Sequence, residues 1–186
     1  MSVKAHNEQF RLGFMETIEV DGRGHIGGLL ITNQNGRPLE FQCTTPVRPN
    51  RTQEILFGET LRPWLLAELI GGTLLERVGI KPGLVITGNP HLLELRNHTS
   101  VPVAVADCSE NKATNQSVTG LSDPESGEVP TLRLGNSRLR FHGSHAADAR
   151  ELSSRKHLIP DSANLQEPLE RVREALAETV RTVFAR

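Results

Sequence analysis

A chain of 186 residues with 21 basic and 22 acidic side chains carries a formal charge of −1. That length suits one domain, and that balance excludes a global pull toward nucleic acid or anionic membrane, so any basic patch has to be local. Two cysteines, Cys43 and Cys108, stand far apart with no CxxC, which leaves zinc and redox motifs unsupported.

The opening segment MSVKAHNEQF has no apolar stretch of the signal-peptide kind. No apolar run approaches the roughly 18–20 residues that span a bilayer. The expectation is a soluble, cytoplasmic protein with no membrane partner and no cofactor. RLGFMETIEV (11–20) alternates in part and reads as a first strand. DGRGHIGG (21–28) reads as a glycine-rich turn, LLIT (29–32) as a second strand, and RPLEFQC as a third. Asn35-Gly36 between them predicts a tight hairpin, central in a small antiparallel sheet. On the third strand Cys43 follows the alternation of a small buried hydrophobe.

Asn50 and Gln53 have capping-box spacing and predict a helix start. Gly58 interrupts that helix, Thr60 is placed to cap a second start, and Pro63 falls in its first turn, where a missing N–H costs little. Leu61, Leu65 and Leu69, then Ile70, Leu74 and Val78, supply an apolar face. PGLVITG (82–88) and SVPVAVAD (100–107) read as buried strands flanking a short helix with Asn89 as cap and Pro90 first. This is a βαβ unit with parallel strands. Residues 108–130 are polar and predict a mobile loop or linker. TLRLGNSRLRF (131–141) predicts a second hairpin with Arg133, Arg138 and Arg140 on one parity. SHAADARELSSRKH predicts a short helix capped by Ser144, and the last segment a long helix with an Asn164–Glu167 capping pattern. Its apolar stripe is Leu165, Leu169, Val172, Leu176, Val180 and Val183.

The fold class expected is α+β with a mixed sheet: antiparallel meander, broken amphipathic helix, βαβ unit, second hairpin and C-terminal helix. Residues 1–107 form the α/β core, and 131–186 a hairpin plus helix packed on the same domain.

Chemistry is harder to find. Gly22-Arg23-Gly24-His25-Ile26-Gly27 matches GxGxxG literally, but a dinucleotide site needs a helix to open there, and a strand follows instead. The element order resembles that of ribonuclease H-like domains, which at fold level alone implies little. Carboxylates for a two-metal nuclease would be Asp107, at a parallel strand end, with Glu16, Glu19 and Glu40. The other parallel strand ends in Gly88-Asn89 instead of an acid. His142 and His145, with Asp148 three residues on, have weak metal-ligand spacing, and surface histidines are the plainer reading. No nucleophile elbow is present, and Asp107 beside Cys108 disfavours a thiolate.

Arg48, Arg51 and Arg62 bracket the hairpin-to-helix connection, and with Arg133, Arg138 and Arg140 they are candidate anion-binding residues. Leu169, Val172, Leu176, Val180 and Val183 are candidate interface residues. The leading expectation is a non-catalytic protein-interaction subunit or adaptor, working with a protein partner or as a homo-oligomer; nucleic acid is a partner without positive support. The alternatives are a divergent metal-dependent nuclease or phosphoryl-transfer enzyme, and a small-ligand binder at the carboxyl ends of the parallel strands.

Overall fold

Three antiparallel strands open the computed structural model, which describes residues 10–107 and 129–184. β1 (Leu12–Val20), β2 (Gly24–Thr32) and β3 (Pro38–Cys43) are followed by β4 (Leu84–Thr87), β5 (Val103–Asp107), β6 (Thr131–Leu134) and β7 (Ser137–Phe141). All seven belong to one mixed sheet in the order β3-β2-β1-β4-β5-β7-β6. Two pairs, β1–β4 and β4–β5, are parallel. The fold is therefore α+β as expected, but the β2–β3 hairpin sits at one edge of the sheet, not at its centre. The second hairpin extends the other edge, through β7 against β5.

The loop between β2 and β3 is wider than a two-residue turn. Gly36 N–H donates to Asn33 O (3.0 Å), Gly36 holds φ 78°, and the Asn33 side chain accepts from the backbone of Asn35 and Arg37. This is the three-residue loop in which a left-handed glycine follows an ordinary turn. The expected glycine-rich turn is likewise shorter, since β2 already begins at Gly24.

The glycines of that strand have a packing role. A Cβ on Gly27 would lie 2.2 Å from Ile70 Cγ2 on one face, and one on Gly28 would lie 3.0 Å from Leu176 Cδ2 on the other. They allow helices to approach the sheet closely from both sides. Gly27→Ala is expected to destabilise by about 1–3 kcal/mol through overpacking, read as a lower midpoint in urea. An unchanged midpoint would mean that the Ile70 helix yields freely.

The helical run after β3 has several pitches. α1 (Arg51–Phe57) starts at the predicted capping box, with Asn50 and Gln53 exchanging side-chain-to-backbone bonds, and ends at Gly58. α2 (Leu61–Pro63) has no side-chain cap, because the Thr60 hydroxyl donates back to Phe57 O. Wider π-type turns follow over Trp64–Gly71, then α3 (Gly72–Arg77). Leu65, Leu66, Ile70, Leu74 and Val78 of this run pack with Met15, Leu29, Ile31 and Val85 on one face of the sheet. The 3-10 helix Pro90–Asn97, capped by the Asn89 side chain, adds Leu92 and Leu95 to the same layer.

α4 (Ala147–Ser153) and α5 (Gln166–Phe184) cover the opposite face. There Leu165, Leu169, Val172 and Leu176 meet Phe14, Leu30, Ile86, Leu139 and Phe141. Ser144 does not cap α4; His142 caps the short 3-10 turn before it. The predicted loop, apart from Val129 and Pro130, lies outside the described residues, as does Cys108. Cys43 is half-buried and packs on the α5-side core.

Candidate functional site

β5 ends at Asp107, and the antiparallel β7 begins directly beside it, so register pairs Asp107 with Arg138. On the next strand Arg133 faces Arg138. Since alternate residues share a face, the hairpin assembles three guanidinium groups (Arg133, Arg138 and Arg140) on one side. Arg140 Nη2 lies 3.6 Å from Asp107 Oδ1.

Between this hairpin and the N-terminal half of α5 lies a groove of about 840 Å³. Asp107, Arg133, Asn136, Ser137 and Arg138 line it from the sheet, and Asn164, Gln166, Glu170 and Arg173 from α5. The Asn164 side chain accepts from the backbone N–H groups of Gln166 (3.0 Å) and Glu167 (3.4 Å), which starts α5 at the groove wall. Glu167 completes no capping box, because its carboxylate pairs with Arg171. The positive end of the α5 dipole therefore adds to the field of the arginines.

Glu16 lies deeper, at the β1–β4 boundary. Its side chain is 4% exposed, and Oε1 accepts from Gly88 N–H at 2.8 Å and from Arg173 Nη2 at 3.0 Å. Burial pushes its carboxyl up from the ordinary value, and Arg173 and the Gly88 N–H pull it back only in part. A carboxyl raised in the folded state favours folding below its unfolded value, and that contribution fades as pH rises through the folded value. Glu16→Gln is therefore expected to flatten the stability-against-pH curve on the alkaline side of the ordinary carboxylate range. Parallel curves for both proteins in pH-resolved thermal melts would refute this.

The four carboxylates anticipated for metal binding are dispersed. Glu19 stands near Arg62 (4.0 Å) and His25 (3.9 Å). Glu40 accepts from the Gln42 side chain and from Gly79 N–H and Ile80 N–H, which in that order hold its carboxyl below the ordinary range. Glu16 and Glu19 have opposite parity on β1 and so face opposite sides of the sheet. Among the described residues no group of three His, Cys, Asp or Glu side chains is placed to hold a metal ion.

The arginine candidates fall into two sets on different parts of the sheet. Arg48 donates to Gly22 O (3.1 Å), Arg51 pairs with Glu54 (3.1 Å), and Arg62 reaches Glu19. These sit by β1–β3, with β4, β5 and β7 between them and β6. The histidine pattern also resolves differently from its expectation. Asp148 turns from His145 to Arg96, while His142 approaches Glu94 (3.4 Å) and His145 approaches Asn97 (2.9 Å).

The interface candidates need correction as well. Leu169, Val172 and Leu176 are wholly buried against the sheet and Val180 is partly buried on it, which leaves Val183 exposed. Glycine-lined β2 lets α5 dock so closely that its stripe is consumed within the chain.

Sequence reasoning missed Arg173, Glu170 and Gln166. Their spacing (166, 170, 173) was legible as a polar line beside the apolar stripe, but nothing in it indicated which carboxylate Arg173 would meet.

The class defined by this geometry is an α+β domain with a mixed sheet, helices on both faces and an arginine-lined groove at the carboxyl end of a parallel strand. No family model and no curated protein matches the sequence. Solved structures do resemble the fold. The catalytic domain of human Endonuclease V aligns at 16% identity and TM-score 0.46, covering 94% of this chain and 85% of that one. Endonuclease V of Ciona intestinalis, in complex with DNA containing an inosine followed by a ribo-adenosine, aligns at 11% identity and TM-score 0.47, covering 92% and 87%. Likeness at this level assigns no residue a role. The adaptor expectation, with its complex-subunit role, is corrected: the apolar stripe of α5 that prompted it lies in the core, with Leu169, Val172 and Leu176 wholly buried. No described helix is long and apolar enough to cross a membrane.

Proposed function

We propose that this protein acts on nucleic acid, seating a stretch of phosphodiester backbone in the groove between the β6–β7 hairpin and α5, in the cytoplasm. One observation carries the reading: Arg133 and Arg138 of the hairpin and Arg173 of α5 line one groove together with the carboxylate of Asp107. Planar guanidinium groups suit phosphate oxygens because their paired N–H donors match two oxygens at once. The overall charge of −1 fits a local binding strip instead of a generally basic surface. Asn136, Ser137 and Gln166 add neutral donors of the kind that fix the register of a backbone.

The chemistry such a groove supports is phosphoryl transfer. Asp107 would take a proton from the attacking water as its oxygen bonds to phosphorus, the opposite P–O ester bond would break with the departing sugar oxygen protonated from solvent, and the arginines would stabilise the charge that develops on the phosphorus-bound oxygens. The contacts proposed are to backbone phosphates, which carry no sequence information.

The test is fluorescence anisotropy with short single- and double-stranded oligonucleotides over a salt series. Arg133→Ala and Arg138→Ala are each expected to weaken binding and to lower the salt slope by about 1. Arg51→Ala, on the other set, leaves both unchanged. Asp107→Asn should abolish any cleavage of a labelled strand while retaining binding. Equal affinity of the wild type and the Arg133→Ala/Arg138→Ala double variant would overturn the proposal.

A further inference from the structure

At the carboxyl ends of β1, β4 and β5, where carboxylates would have to gather around a divalent cation, we infer that the Arg173 guanidinium permanently takes the cation's place, so that the groove handles phosphodiesters without a metal ion. The clause about phosphodiesters rests on the function proposed above; the exclusion of metal does not.

The argument begins with space. A Cβ on Gly88 would lie 2.7 Å from Glu16 Oε1 and 2.6 Å from Arg173 Nη2. A side chain at that strand end would displace the Glu16–Arg173 contact.

Ligand supply is the second point. Oε1 of Glu16 already accepts two hydrogen bonds, one of them from a cation. A divalent ion there would have to sit against the positive charge of Arg173 within a mostly buried setting, where like charges repel strongly. The neighbouring Asn89 offers no replacement, because its Nδ2 donates to Thr17 Oγ1 (3.1 Å) and its Oδ1 accepts from His91 N–H (3.0 Å). Asp107, the remaining acid of the set, faces Arg138 across the ladder and Arg140 at 3.6 Å. Glu16 and Asp107, the two acids of the candidate set at this end of the sheet, each have an arginine where a metal ligand set would have an ion.

Arg173 is also placed to work. Glu16 fixes one nitrogen of its guanidinium, and the side chain, 43% exposed, lines the groove. A guanidinium has five N–H donors, so it can hold Glu16 and still offer donors to a phosphate. Glu16 is thus a positioning residue, and its buried carboxylate orients the arginine.

The test uses the full chain and Mn²⁺ alone, followed by electron paramagnetic resonance, alongside oligonucleotide anisotropy with and without EDTA. The wild type is expected to bind no Mn²⁺ that Glu16→Gln removes, and its oligonucleotide affinity should be insensitive to EDTA. Arg173→Gln should weaken that affinity about tenfold, the size expected for lost charge-assisted hydrogen bonds, with Arg173→Lys recovering it only in part. Saturable Mn²⁺ binding by the wild type that disappears in Glu16→Gln would overturn the inference, as would oligonucleotide binding abolished by EDTA. If no oligonucleotide binds at all while Mn²⁺ is still refused, the exclusion of metal stands and the proposed function fails alone.

Discussion

Arg96→Met is expected to cost the protein about 3–5 kcal/mol of stability, because it strands a buried carboxylate. Arg96 Nε donates to Asp148 Oδ2 at 2.6 Å and Nη2 to Oδ1 at 3.1 Å, while Nη1 caps Thr99 O at 2.7 Å. The two side chains are 17% and 7% exposed. The hydrogen bond that Arg96 donates to Asp148 is the largest cause raising the arginine's already high pKa further, so the guanidinium stays charged at any ordinary pH. This clamp joins two layers: Arg96 belongs to the 3-10 helix whose Leu92 and Leu95 pack on one face of the sheet, and Asp148 to α4, whose Ala149 and Leu152 pack on the other.

Urea unfolding checks the magnitude. Arg96→Lys is not expected to restore the wild-type value, since an ammonium cannot reproduce the two parallel bonds and the contact to Thr99 together. Arg96→Met/Asp148→Leu should regain much of the loss, because removing both charges also removes the desolvation cost. A loss below about 1 kcal/mol for Arg96→Met, as for an ordinary surface pair, would mean that Asp148 finds water when its partner is gone.

Leu176→Ala is the second large effect, at about 3–5 kcal/mol, the range for a core leucine whose cavity closes poorly. Leu176 is fully buried and lies directly over Gly28, where β2 presents no side chain that could move into the gap. The last stripe position, Val183, is 60% exposed, and Val183→Ala is expected to change stability by less than about 0.5 kcal/mol. The contrast separates a core stripe from an intersubunit one. Were the stripe a docking surface, Leu176→Ala would leave the unfolding midpoint nearly unmoved and shift the mass in solution instead. Equilibrium denaturation together with analytical ultracentrifugation resolves the two.

The Leu176 contrast bears directly on what could be read in advance. Seven strands, the capping box at Asn50 and Gln53, the βαβ unit and the long terminal helix were all visible in patterns that local backbone physics imposes. Alternation and helical spacing report which side of an element is apolar. They do not report what that side meets, and so the stripe of α5 looked equally fit for its own sheet and for another chain.

The glycines between Gly22 and Gly28 are a similar case. As a string they imitate a phosphate-binding loop, while in the structure Gly27 and Gly28 are places where helices touch a strand from either side. Thr60 and Ser144, both plausible caps by type, were not used as such, because competing backbone acceptors and a neighbouring histidine served those turns.

The amino-acid sequence by itself determined the elements, the α+β class and the parity that lines up Arg133, Arg138 and Arg140, since each depends on interactions within a few residues or along one strand. Only the tertiary structure decided that Arg173, from the far end of the chain, would meet Glu16 over Gly88, that Asp148 would go to Arg96 and not to His145, and that the two hairpins would form opposite edges of one sheet. Those pairings join residues separated by long stretches of chain. Their energies come from burial and from charge held at a fixed distance, and neither exists until the layers have packed.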